Sequence, residues 1–149
     1  MKINKRIFAG MAVFILLFGV VLAGCISFTP IAFEETETSK EMFKAISDSF
    51  PSRIETSTPA NPKIEPISSL VFEQKVTAGE ILSVLINKYP GLTEDNISGG
   101  GINCTYQGKK YYINCDIEST GLVTVVGKQS TVNSIFYVKE RMEPDQSTE

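Results

Sequence analysis

The stretch "INCTYQGKKYYINCDI" (Ile102–Ile117) decides how the folded part of this chain is read. Its period is two. Ile102, Cys104 and Tyr106 alternate with Asn103 and Thr105. After Gln107-Gly108-Lys109-Lys110, the residues Tyr111, Ile113, Cys115 and Ile117 alternate with Tyr112, Asn114 and Asp116. Alternation of apolar and polar residues on both sides of a short polar break is the signature of a β-hairpin with one buried face. Both cysteines fall on the apolar face, and Tyr112 falls on the opposite face from Tyr106 and Tyr111.

The hairpin's register sets how near the cysteines come. A loop centred between Lys109 and Lys110 puts Cys104 opposite Cys115. One centred between Gly108 and Lys109 makes them diagonal neighbours and has the better turn chemistry. Directly opposed strand residues have Cα atoms about 4.5–5.5 Å apart, close to the 5.5–6 Å typical of a disulfide. Opposition is therefore the favoured register, and a Cys104–Cys115 disulfide is expected to pin the hairpin. By the chain-entropy model a loop of about 15 residues is worth roughly 3 kcal/mol, and this one slightly less. A redox pair would need closer spacing, such as C-x-x-C.

Outward from the hairpin, Ser119-Thr120-Gly121 marks a turn. Leu122 to Val126 reads as a further strand and Ile135 to Lys139 as another, with Gly127 to Ser130 turning between them. The polar tail runs from Arg141 to Glu149. On the N-terminal side, Asp95 and Asn96 read as turn residues. Gly99-Gly100-Gly101 lacks the Lys and following helix of a phosphate loop and reads as a flexible turn. Before it, "VTAGEILSVLINKYPG" (Val76–Gly91) predicts a helix. Thr77 and Glu80 make a capping box, Val76 and Ile81 a hydrophobic staple, and Ile81, Leu82, Leu85, Ile86 and Tyr89 one apolar stripe ended by Pro90-Gly91. "LVFEQKV" (Leu70–Val76) is β-prone. The fold class is α+β: one main amphipathic helix on an antiparallel sheet of about four strands, forming a small domain over residues 70–140.

Residues 25–69 read as a tether. Within it, Met42, Phe43, Ile46 and Phe50 predict a short amphipathic helix at about 39–50, with Thr38 and Glu41 spaced as a capping box and Pro51 as its stop. Pro51, Pro59, Pro62 and Pro66 then punctuate residues 51–69, read as a linker with polyproline-like character.

The first 24 residues are tripartite. Lys2, Lys5 and Arg6 open it, Ile7 to Leu22 is apolar and uncharged, and Leu22-Ala23-Gly24-Cys25 closes it. That order describes a secretory signal. Leu22-Ala23-Gly24-Cys25 resembles the lipobox of prokaryotic lipoprotein precursors. The resemblance implies cleavage between Gly24 and Cys25 and a lipid, with acyl chains such as palmitate, on the Cys25 thiol. Two acyl chains hold a protein firmly to a bilayer where one does not. The implied place is the extracytoplasmic face of the cell membrane. The competing readings are an ordinary cleaved signal and an uncleaved single-span membrane protein, since Ile7 to Phe28 is long enough to cross.

Composition narrows the chemistry. The chain has 149 residues, no histidine, 14 basic and 17 acidic residues, a net charge of −3. Removing Lys2, Lys5 and Arg6 with the leader leaves 11 basic residues and a net of −6. No basic stripe offers itself to nucleic acid. Without histidine there is no imidazole triad or imidazole metal ligand. Glu94, Asp95, Asp116 and Glu118 read as solvated charges, and Glu94 and Asp95 lack the spacing of a calcium loop. Asn96-Ile97-Ser98 and Asn103-Cys104-Thr105 fit N-x-[ST], with Asn96 the better placed glycan acceptor. The expectation is a non-enzymatic, cofactor-free, lipid-anchored envelope protein that binds another envelope protein or a surface polymer. Its alternative is a small-ligand-binding or carboxylate-based enzymatic subunit of an envelope complex.

Overall fold

A computed structural model describes residues 30–118 and 126–143. The chain divides into two units, Met1–Pro30 and Ile31–Glu149, and every element described lies in the second. The leader residues, Gly24 and Cys25 among them, lie outside the described residues, as do residues 119–125 and 144–149. Most of the strand read over Leu122 to Val126 falls there. Among the described residues no helix is long and apolar enough to cross a membrane.

In chain order the elements are β1 (Ala32–Glu34), α1 (Glu37–Ser49), β2 (Ser52–Ser57), β3 (Ile67–Thr77), α2 (Ala78–Lys88), β4 (Thr93–Ser98), β5 (Gly101–Tyr106), β6 (Lys109–Ile117) and β7 (Thr131–Met142). All seven strands join one antiparallel sheet in the order β2-β3-β7-β6-β5-β4. The short β1 pairs with the far end of β7, Glu140 to Met142, and β3 with its beginning, Thr131 to Ile135. β3 and β1 therefore share one edge of β7, and Phe136 to Lys139 has no strand partner there among the described residues.

This corrects the sequence reading of one helix on about four strands. Two helices pack on the sheet, and the presumed tether supplies β1, α1, β2 and the start of β3. The prolines do break structure, but each lies outside a strand: Pro51 precedes β2, and Pro59, Pro62 and Pro66 sit in the loop before β3. The proline-free residues between them are long enough to pair, Ser52 with Phe72 through to Ser57 with Ile67. The presumed turn at Asp95-Asn96 belongs to β4, where a bulge at Asp95 shifts the register between Glu94 and Asn96. A bulge breaks the strict alternation by which strands are read. Arg141 and Met142, assigned to the tail, close β7 against β1.

Both helices start as their sequences dictate. Thr77 caps α2, accepting from the Glu80 amide while the Glu80 carboxylate accepts from the Thr77 amide at 2.7 Å. Those hydrogen bonds hold the Glu80 carboxyl below its usual pKa. In α1 the box lies two residues before its expected place. Thr36 is the cap, and Ser39 serves where a glutamate is usual, accepting from the Thr36 amide at 2.9 Å. This use satisfies Ser39, which is fully buried. Met42, Ala45 and Ile46 of α1 and Ala78, Ile81, Leu82 and Leu85 of α2 face the core. Each large apolar side chain there contributes about 1.5–3 kcal/mol by leaving water. The helices pack on each other, α1 also on β7, α2 on β3 and β4. They cover the sheet face carrying Leu70, Ile102, Cys104, Tyr111, Ile113, Cys115, Val132, Ile135 and Val138.

The hairpin turn is tighter than the cysteine argument requires. Tyr106 pairs with Lys109 across Gln107 and Gly108, whose φ values are 50° and 76°. Two positive φ angles in a two-residue loop match the twist of the strands it joins. Cys104 then lies opposite Tyr111, and the Cys115 amide bonds the Gly100 carbonyl at 3.4 Å. Four ladder steps, about 13 Å at the rise of a strand, separate the two cysteines. A bridge tolerates Cα separations of only about 4.4–6.8 Å. The expected Cys104–Cys115 disulfide is thus replaced by two free, buried thiols. Burial pushes the pKa of each up to about 12, which leaves them unreactive packing groups.

Candidate functional site

The helices cover one face of the sheet and, among the described residues, nothing covers the other. Its residues are fixed by the ladder. One row reads Phe33, Arg141, Lys110, Thr105, Thr93 across β1, β7, β6, β5 and β4. The next reads Lys139, Tyr112, Asn103, Asn96, and the third Tyr137, Asn114, Gly101, Ser98. Aromatic rings, side-chain amides, hydroxyls and cations thus occupy adjacent positions on a platform of five strands. None of these residues but Gly101 is buried.

Its side chains are held. Phe33 and Tyr112 have ring centroids 5.6 Å apart, and Tyr112 and Tyr137 lie 6.3 Å apart, edge to face. The Tyr112 hydroxyl donates to the Gly100 carbonyl at 2.6 Å, and the Asn114 amide donates to the same carbonyl and to the Tyr112 oxygen, each at 3.3 Å. The Tyr112 ring lies over Gly101, where a Cβ would stand 2.7 Å from ring atom Cε2. Only glycine permits that approach. The Asn103 amide donates to Asn96 Oδ1 at 2.6 Å, and the Thr105 hydroxyl to Asp95 at 2.8 Å. The Lys139 ammonium stands 4.7 Å above the centre of the Tyr137 ring, a cation–π contact. Partial burial, then Tyr112, pushes the Tyr137 hydroxyl pKa up, so it stays a neutral donor. Asp95, Asn96, Asn103, Lys110 and Arg141 line a depression of about 310 Å³ in the face, two cations against one carboxylate.

Of the other residues singled out in the sequence, Asp116 lies further along the bare face, and most of the rest lie elsewhere. Tyr111 is buried on the helix side, its hydroxyl 3.4 Å from Glu140. Burial first, then the Glu140 charge, raises its pKa. Glu140 is also buried, and Lys109 reaches it at 2.9 Å. Tyr106 packs edge-on against Tyr89. Glu94 pairs with Lys128 at 2.8 Å, and Asp116 accepts from Asn133 at 3.3 Å. Asn96 is exposed on the edge strand β4, not on a turn. Among the described residues no three His, Cys, Asp or Glu side chains gather as a metal set. The amides of Ala78 and Gly79, opening α2, are taken by the carbonyls of Ser130 and Lys128.

A second concavity, about 320 Å³, lies where Phe136 to Lys139 lacks a strand partner; Phe43, Ile54, Phe136 and Val138 give it apolar walls beside Ser39 and Lys40. Of the bare face, only Tyr112 and the N-x-[ST] asparagines attract notice in the sequence. Phe33 is hidden in the presumed tether. Tyr137, Lys139 and Arg141 do carry a signal, because they recur at every second residue of "FYVKER" (Phe136–Arg141). No family model, curated protein or solved structure matches this chain.

Proposed function

We propose that this chain is a lipid-anchored envelope protein whose folded unit is a non-catalytic binding module, and that the bare sheet face is its binding surface. The observation that carries the reading is the platform itself: three aromatic rings, three cations and three asparagines, uncovered by either helix, with Tyr112 and the asparagines held by hydrogen bonds and the rings by contacts with one another. Polar and aromatic groups held before a partner arrives lose little freedom on binding. A photo-reactive side chain at Ser98, on this face, is expected to crosslink to a partner in intact cells. The same group at Asn87, exposed on α2, is expected to stay uncoupled. Equal yields from the two positions would remove the sheet face from the proposal.

Lipidation of Cys25 supplies the anchor. Only residues 26–31 separate it from Ala32. Fully extended, the seven steps reach about 25 Å, so a lipidated module works close to the bilayer and not at the end of a long spacer. Cys25→Ser is expected to release the protein from the membrane fraction and to abolish the mass of the lipid. Unchanged size and retention would eliminate the anchor.

The notch beside Phe136 favours a second reading, a small-ligand subunit holding an apolar molecule. A solvatochromic dye that binds the wild-type chain and is lost in Phe136→Ser would support it; no binding would dismiss it.

A further inference from the structure

Resting on the reading of the bare face as the binding surface, we infer that its ligand is an anionic polysaccharide of low charge density. Charge comes first. The chain is acidic overall, yet Lys110, Arg141 and Lys139 occupy neighbouring positions. Lys110 and Arg141 are direct cross-strand partners, and Lys139 is the next cation along β7. Like charges directly opposite weaken a ladder; an external anion offsets that repulsion. Lys110 has Glu143 at 3.1 Å, whereas among the described residues neither Lys139 nor Arg141 has a carboxylate within ion-pair distance.

Neutral groups narrow the anion. Asn114 uses both amide donors within the face and Asn103 one of its two, which leaves their side-chain oxygens as acceptors and the Asn96 amide and the second Asn103 N–H as donors. Thr93, Thr105 and Ser98 add hydroxyls. Such a mixture suits sugar hydroxyls, which both donate and accept. A phosphate-dense polymer is read chiefly by cations, and only three are present. Phe33, Tyr112 and Tyr137 offer aromatic surface whose negative faces suit the weakly positive C–H groups of a sugar ring.

The shape excludes rival ligands. Strand addition, which holds an extended peptide at a sheet edge, is not open here, because this is the middle of a face; an acidic peptide gripped by the three cations alone would leave the amides, hydroxyls and rings unused, and the poly-glutamate column separates it. Insertion into lipid would need several protruding apolar groups; on this face only Phe33 is exposed, while Tyr112 and Tyr137 are half-buried and Tyr112 is hydrogen-bonded.

The experiment uses the full chain in detergent, passed over immobilised polygalacturonate, dextran and poly-glutamate, and mixed with phosphatidylglycerol or phosphatidylcholine vesicles. Retention on polygalacturonate is expected to exceed that on dextran and poly-glutamate at least tenfold and to weaken with salt. Lys139→Gln, Arg141→Gln and Tyr137→Ala are each expected to lower it severalfold at unchanged melting temperature, and Lys44→Gln, on α1, to leave it intact. Equal retention on poly-glutamate, or a preference for phosphatidylglycerol over phosphatidylcholine as large as that for polygalacturonate over dextran, would overturn the sugar assignment. No retention on polygalacturonate would overturn it too. In that case crosslinks from Ser98 would still stand, so failure of the ligand class and failure of the binding face are told apart.

Discussion

Along β6 each step of the chain changes the environment. Tyr111, Ile113, Cys115 and Ile117 are buried under the helices, while Tyr112, Asn114 and Asp116, one residue on from the first three, belong to the bare face. The helix-covered side gains its stability from apolar area and close packing. The bare side holds its shape with hydrogen bonds, ring contacts and one cation–π pair, each worth far less where water can compete. One face therefore specifies the fold, and the other, proposed as the binding surface, is free to vary without unfolding the chain. Substitutions that cost stability on one side should cost recognition on the other.

Ile113→Ala tests that division with the largest effect. Ile113 is fully buried between Ile102 and Val138 on the flanking strands. Removing its side chain is expected to lower unfolding free energy by about 2–5 kcal/mol. Lys110→Ala, on the exposed face of the same strand, is expected to change it by about 0.5 kcal/mol or less. Urea denaturation of the two variants compares them directly, and similar losses would erase the distinction between the faces. A sharper version uses two neighbouring glycines. At Gly101 a Cβ would press on the Tyr112 ring and on the Ile113 carbonyl, whereas at Gly99 it would meet nothing within 4 Å. Gly101→Ala is expected to cost about 1–3 kcal/mol by overpacking, and Gly99→Ala to leave the midpoint nearly unchanged.

The same contrast explains what the sequence reveals. α2 is legible because its signals are local: the Thr77–Glu80 box, the stripe from Ile81 to Leu85 and the Pro90-Gly91 stop all lie within one segment. The alternation of β5 and β6 is legible for the same reason. Their register is not, because Gln107 at positive φ is an unusual turn residue, and nothing local favours a loop centred on Gln107-Gly108. β1 and β2 depend on partners far along the chain, Met142 for Ala32 and Phe72 for Ser52. Their residues are nearly all exposed, and Ala32, Phe33 and Ile54, the apolar ones among them, form no apolar period that would betray a strand. The candidate site inherits that difficulty. Phe33, Tyr112 and Arg141 become neighbours only when β1, β6 and β7 are set side by side.

The cysteines sharpen the comparison chemically. Both lie on the covered face, and their raised pKa means that the thiol must stay protonated inside. An alkylating reagent at pH 8 is expected to leave Cys104 and Cys115 untouched in the folded protein and to modify both after denaturation without reductant. Modification only after reduction would restore the disulfide. The contribution of the two thiols to stability is complete below the ordinary thiol pKa of about 8.5 and is lost as pH rises from there toward about 12. Stability should therefore decline on the alkaline side, and Cys104→Ala is expected to flatten part of that slope.

Two tyrosines on the covered side test the contrast through their hydroxyls, and one of them is expected to give almost no effect. The Tyr111 hydroxyl has Glu140, and Glu140 has Lys109, so a chain of polar groups leads from the core to solvent. Tyr111→Phe breaks that chain beside a buried carboxylate and is expected to cost about 1–3 kcal/mol. The Tyr89 hydroxyl is buried with no hydrogen-bond partner among the described residues, while its ring packs edge-on against Tyr106 at 5.3 Å between centroids. Its pKa is raised, first by burial. Tyr89→Phe keeps the ring contact and removes the unpaired group, whose burial is itself a cost. The expected change is therefore between zero and a gain of about 1 kcal/mol, read as an unchanged or slightly higher melting temperature. A clear loss would mean that the hydroxyl is bonded in solution, and that the covered face holds more than apolar packing at the end of α2.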